Sequence, residues 1–256
     1  MAFEKKIEIM LAGGKILREI FLNLAELVKP GINTYFLDQQ AEKLFKLFKI
    51  KSAFKNYQPD FASRPYPANI CVSLNEIVVH GLPSKSVIIK EGDIVKIDIG
   101  IIYQDLFLDS ALSFGVGELK PIYKKLITIT KQSLINAIEM AKENNYLGDI
   151  GYMIQRTIEV ENNFKVIKNL CGHDIGEYLH GELQVLNFGK PKSGRKIKKG
   201  DIFTIEPMAS LTSDYAIQIN DFEFKTSDNS YATHFEITLA VLGQENLILT
   251  DILDIG

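Results

Sequence analysis

A stretch of eight residues recurs in this chain. Glu91-Gly92-Asp93-Ile94-Val95-Lys96-Ile97-Asp98 is matched by Lys199-Gly200-Asp201-Ile202-Phe203-Thr204-Ile205-Glu206. Each copy reads charged residue, Gly, Asp, Ile, two variable residues, Ile, acid. The order of elements around the copies also repeats. Ile7, Met10, Leu11, Leu17, Phe21, Leu24 and Val28 carry a helical period. Lys29-Pro30-Gly31 stops that helix. Thr34 is expected to cap a second helix bearing Leu37, Ala41, Leu44 and Phe48. Residues 53–68 hold three prolines and read as a loop. Strand-like runs follow at 70–74, 77–79, 93–99 and 106–114. A second helix pair then spans 121 to about 142 and 149 to about 162, with further strand-like runs at 164–170, 184–188, 201–205 and 234–241. Duplication of a helix-helix-strand unit predicts an α+β fold with helices packed on a curved antiparallel sheet. The expected organisation is one domain, 1–256, of two related halves, about 1–118 and 119–256.

The repeat also puts acids where strands do not want them. Side chains alternate along a strand, so Val95, Ile97 and Ile99 share one face, and Lys96 and Asp98 the other. Phe203 and Ile205 likewise lie opposite Thr204 and Glu206. If the apolar faces meet the helices, each terminal acid points into the space between the halves. Two more acids interrupt apolar runs: Asp109 within 106–112, and Glu236 within 233–241, where His234, Glu236 and Thr238 share a face. Each acid alone reads as solvated or ion-paired. Four together, two of them at matching positions of a repeat, are better explained by cations, because a buried unpaired carboxylate costs several kcal/mol. An oxygen-rich site with an imidazole suits Mn²⁺, Fe²⁺, Co²⁺ or Zn²⁺.

The four histidines, His80, His173, His180 and His234, all lie in or beside these segments and none lies in a helical pattern. There is no His-Glu-x-x-His helix and no Cys-x-x-Cys pair. Gly115-Val116-Gly117 and Gly13-Gly14-Lys15 lack the spacing of nucleotide-binding loops, and the basic segment 192–199 reads as a solvated turn. A formal net charge of −3 gives no general attraction to nucleic acid or anionic membrane. No apolar run is long enough to span a bilayer, and the first ten residues lack a secretory apolar core. A cytoplasmic protein with Cys71 and Cys171 as free thiols is expected.

These segments resemble the type I methionine aminopeptidases, a family with the pseudo-twofold pita-bread fold. The resemblance covers nearly the whole chain. It is carried by Cys71-Val72-Ser73-Leu74-Asn75-Glu76, Val79-His80-Gly81-Leu82-Pro83, the stretch from Gly92 to Gly100, Cys171-Gly172-His173, Phe203-Thr204-Ile205-Glu206-Pro207-Met208 and Phe235-Glu236-Ile237-Thr238. It implies Asp98, Asp109, His173, Glu206 and Glu236 as ligands of two divalent ions, with Asp109 and Glu236 shared between them. It implies His80 and His180 as substrate-contacting catalytic groups, Glu206 as general base, and Tyr66, Cys71 and Phe222 as the methionine pocket. The implied reaction is hydrolysis of the amino-terminal methionine of nascent peptides by a hydroxide shared between the ions. The expected partners are those peptides and a transient ribosome contact, without DNA or membrane, and the expected state is monomeric. Only 33 positions separate His173 from Glu206, which leaves no room for the helical insertion of the type II enzymes.

The sequence departs from the family around His173 and the substrate pocket. Asp174 replaces a glycine and adds a negative charge beside the implied ions. Leu179 replaces a bulkier residue, and Gly181-Glu182-Leu183 replaces a Glu-x-Pro segment. Phe222 stands where tryptophan is common, Ile237 where histidine is, and the loop 56–65 is longer. Two other functions remain open: an Xaa-Pro peptidase on the same fold, and a binding protein that has lost catalysis, although such relatives lose metal ligands.

Overall fold

The structure, a computed structural model, describes residues 1–255. Helices α1 (Phe3–Ala25) and α2 (Thr34–Phe48) precede strands β1 (Lys51–Ser52), β2 (Cys71–Leu74), β3 (Ile77–Val79), β4 (Ile94–Tyr103) and β5 (Leu106–Gly115). Helices α3 (Pro121–Ile138) and α4 (Leu147–Gln155) precede β6 (Lys165–Val166), β7 (Cys171–His173), β8 (Gln184–Leu186), β9 (Ile202–Ile205) and β10 (Met208–Ser210). The chain closes with β11 (Ala216–Gln218), β12 (Phe224–Thr226), β13 (Ala232–His234), β14 (Ile237–Val241) and β15 (Asn246–Ile248). Every strand pair is antiparallel.

The repeated sequence is repeated in hydrogen bonds. Gly92 and Gly200 both take a left-handed turn, φ +84° and +94°, which glycine adopts without a Cβ penalty. Gly92 N donates to Val116 O at 2.9 Å, and Gly200 N to Val241 O at 2.8 Å. The Asp93 carboxylate accepts from Lys90 N at 2.7 Å, and that of Asp201 from Lys198 N at 2.8 Å. Gly31 N reaches Ile89 O, as Asn144 N reaches Ile197 O, at the start of each second helix. Beyond these turns, α1 buries Met10, Leu17, Ile20, Phe21 and Leu24, while α3 buries Leu126, Leu134 and Ala137. They meet the face of Val95, Ile97, Ile99, Phe203 and Ile205 in one apolar core. Each fully buried aliphatic or Phe side chain contributes roughly 1.5–3 kcal/mol.

Lys96 is buried on the opposite face. Its ammonium donates to Asn75 O at 2.7 Å and Ala232 O at 3.2 Å, tying the halves together. Burial lowers its pKa to about 7.

Four expectations need correction. Asn33, not Thr34, caps α2: it is extended, and its side chain accepts from Phe36 N at 2.9 Å. Thr34 is already helical, and its hydroxyl is engaged with Ser84. The run at 164–170 yields only β6, because Ile167 and Lys168 pair with Met208 and Asp214 through isolated bonds. The helix expected to about 162 leaves α geometry at Gln155 and ends in a π turn over Arg156–Val160. The run at 234–241 is two strands, broken at Phe235 and Glu236.

Candidate metal centre

One row of residues crosses the molecule. Cys71 pairs with Asp98, Asp98 with Ala111, and Ala111 bridges to Glu236. Directly opposed residues project from the same face. Asp109, two residues before Ala111, joins them, so acids from both halves share one surface. Their partner strands hold them: Thr238 Oγ1 accepts from Asp109 N at 3.1 Å and donates to Asp109 O at 2.8 Å. Glu206 follows directly on β9, and Thr204 Oγ1 donates to its Oε1 at 3.2 Å. All four acids are buried, none more than 8% exposed.

His173 ends β7 with its backbone N bonded to Thr204 Oγ1 at 3.1 Å. Its Nδ1 lies 3.1 Å from Asp174 O. A carbonyl only accepts, so Nδ1 carries the proton and Nε2 presents a lone pair. That lone pair faces Glu206 Oε1 at 3.7 Å.

The electrostatics without ions are unfavourable. Burial, then the neighbouring carboxylates, push Asp98, Glu206 and Glu236 well above their ordinary values. Burial raises Asp109 to about 7. Burial also keeps the imidazoles neutral, with His80 and His173 near 4 and His180 and His234 near 3. Asp98 Oδ1, Glu236 Oε1 and His234 Nε2 are buried without hydrogen-bond partners. Ligand-type atoms of Asp98, Asp109 and Glu236, and of His173, Glu206 and Glu236, lie within 4.8 Å of one another. Buried lone pairs facing lone pairs call for cations between them, so the residues present fit divalent metal.

The acids floor a cavity of about 1110 Å³ that His80, His180, Tyr66, Cys71 and Phe222 also line. Tyr66 is packed edge-on against Phe222 at 5.1 Å between ring centroids, and its hydroxyl donates to Gly81 O at 3.0 Å. His80 is held at φ +59°, a strained conformation for a non-glycine residue, as residues at functional sites often are. All ten side chains singled out in the sequence therefore converge on one cavity.

Sequence reasoning missed three neighbours. Tyr57 OH bonds His180 Nδ1 at 2.9 Å, and Phe61 stacks on His80 at 5.9 Å between ring centroids. Both come from the long loop, where aromatic residues among prolines were the available signal. His234, noted on the Glu236 face but given no role, points into the acid cluster. Asp174 does not turn its charge onto the centre. Its carboxylate accepts from Leu183 N at 2.7 Å and Tyr178 OH at 2.8 Å, organising the loop that carries His180. A Cβ at Gly181 would lie 2.1 Å from Asp174 Oδ1, so the two departures accommodate each other.

Comparison with known proteins defines the class. The model of metallopeptidase family M24 matches residues 8–241, and the chain belongs to that family. Within it, the similar proteins are methionine aminopeptidases. That of Aquifex aeolicus is 38% identical over 252 residues, covering 97% of each chain. One from Bacillus subtilis is 35% identical over 93% of each. The crystal structure of the Thermotoga maritima methionine aminopeptidase superposes with a TM-score of 0.91 at 36% identity, over 96% of both chains. The fold is thus the α+β pita-bread fold expected from the sequence. The Xaa-Pro dipeptidase of Bacillus anthracis shares that fold, with a TM-score of 0.73 at 17% identity, but this chain covers only 61% of it.

Proposed function

We propose that the chain removes the amino-terminal methionine from nascent polypeptides, as a methionyl aminopeptidase using two divalent ions. The observation that carries this reading is the convergence of four buried carboxylates and a neutral His173 on one cavity floor, in a chain similar over its full length to methionine aminopeptidases. Asp98, Asp109, His173, Glu206 and Glu236 would hold the ions. When bound, ions of Co, Mn, Fe or Zn would supply Lewis acidity and lower the pKa of water.

The chain's own groups supply the rest. Glu206, on the cavity floor beside His173 and ionised when cations are held there, is suited to take a proton from the attacking water. With Tyr57 OH as the donor in its 2.9 Å hydrogen bond to His180 Nδ1, His180 Nε2–H would be left to donate to the substrate carbonyl oxygen. His80 positions the scissile amide nitrogen. Tyr66, Cys71 and Phe222 form an apolar, sulfur-bearing wall that suits a thioether side chain. A free amino terminus recognised at the carboxylate-lined floor of the cavity would account for removal of one residue only.

The reading places the protein in the cytoplasm as a monomer meeting peptides at the ribosome; among the described residues no helix is long and apolar enough to cross a membrane. The test is turnover of Met-Ala-Ser against Xaa-Pro peptides with each added ion. Cleavage of Met-Ala-Ser is expected with at least one ion. Cleavage of Xaa-Pro peptides alone would favour the other hydrolases of this fold, and no turnover with any ion would defeat catalysis.

A further inference from the structure

His234 ends β13 and is 2% exposed. Its backbone is tied to β5, donating to Ser113 Oγ at 2.9 Å and accepting from it at 2.7 Å. Its ring Nε2 has no partner. That atom lies 3.6 Å from Glu206 Oε2 and 3.9 Å from Glu236 Oε2. Both separations are too long for hydrogen bonds. They do match the 3.7 Å between His173 Nε2 and Glu206 Oε1. Two donors each about 2.1 Å from one cation stand roughly 3.0 Å apart at right angles and roughly 4.2 Å apart when opposite. All three separations fall inside that interval. Glu206 therefore turns one oxygen to each of two imidazoles.

We propose that His234 is itself a metal ligand, its Nε2 coordinating an ion held with Glu206 and Glu236, so that the centre has two imidazole donors rather than the one implied by the family resemblance. The inference rests on the metal-dependent reading above and concerns which atoms surround the ions. A second nitrogen donor favours Zn²⁺, Co²⁺ and Fe²⁺ over Mn²⁺, because imidazole is a softer donor than carboxylate.

The test is X-ray absorption at the zinc edge on full-length protein saturated with Zn²⁺, with zinc content measured in parallel. Outer-shell scattering counts imidazoles per chain. His234→Gln, which keeps a polar side chain of similar size, is expected to lose one imidazole per chain relative to the unsubstituted protein. Calorimetric titration is expected to show Zn²⁺ binding weakened at least about tenfold in this variant, and Mn²⁺ binding less affected. Circular dichroism confirms folding, and His234→Asn serves if the first variant does not fold. An unchanged imidazole count in a folded variant overturns the proposal and leaves His234 a neighbour of Glu206. If the unsubstituted protein binds zinc with a single imidazole, the proposal likewise fails, whereas failure to bind any of Zn²⁺, Co²⁺, Fe²⁺ and Mn²⁺ would overturn the metal-dependent reading itself.

Discussion

The two halves build the same corner by different means. In the first, β4 and β5 form an unbroken hairpin of ten paired positions, closed at Gln104 and Asp105 with φ of +49° and +64°. Asp98 and Asp109 sit inside that ladder, opposite Ala111 and Gly100. In the second, β9 and β14 pair over only four positions, and the last pair is Ile205 with Ile237. Glu206 and Glu236 stand just past it, at the two ends of an excursion that carries β10 to β13. The first half thus offers short acids within a paired ladder, and the second offers longer acids at strand ends. The difference teaches that the same Gly-Asp turn and the same strand face can place acids either within a ladder or just beyond its last pair.

That contrast can be broken by substitution. The largest effect is expected at Glu206→Gln, which removes the proton acceptor: kcat for Met-Ala-Ser should fall about 10²–10⁴-fold with the fold retained. Near-normal turnover would show that the strand-end acid is not the base. His180→Ala should cost about 10²–10³-fold in kcat, the range for removing one donor to a developing oxyanion. A change confined to KM would instead make His180 a binding group only.

A third expectation concerns pH. Without ions the folded chain holds protons on the acid cluster, Asp109 near 7 and the others higher than usual, whereas the unfolded chain releases them around pH 4. This stabilising term is present below about pH 4 and is lost as pH rises through the folded values. The four imidazoles act in the opposite sense, since folded values of about 3 to 4 lie below the unfolded value of about 6.5, so their stabilising term is present above about pH 6.5 and lost toward pH 4. Ions bind the ionised acids. The gain in Tm from added Zn²⁺ over chelator-treated protein should therefore grow between about pH 5.5 and pH 8, and a flat difference would mean the acids are already ionised in the free protein. The smallest effects sharpen the symmetry. Gly92→Ala and Gly200→Ala meet only ordinary van der Waals contact at similar positive φ, so each should cost about 1–2 kcal/mol by denaturant titration, and nearly the same amount. Costs differing by more than about 1 kcal/mol would show that the two turns are not equivalent.

Much of this was legible because it is local. Period-two alternation tells which face Asp98 and Glu206 take, and the paired Gly-Asp turns announce the repeated segment. The helices were legible from their apolar stripes, though their ends were not, since Asn33 and Thr34 are both good caps and only Ser84, far along the chain, decides between them. The break at Glu236 was invisible in a run that reads as continuous strand. It occurs because Glu236 pairs with Ala111 of the other half, while His234 stays with Met208.

The sequence by itself determined the repeat, the faces and the donor chemistry, because those follow from backbone stereochemistry and side-chain alternation within a few residues. Only the tertiary structure decided that Tyr57 and Phe61 reach the two cavity histidines, that Asp174 is consumed by its own loop, and that His234 joins the acids. Those placements depend on distances between segments far apart in the chain, which are set by packing both halves onto one core and have no periodic signature.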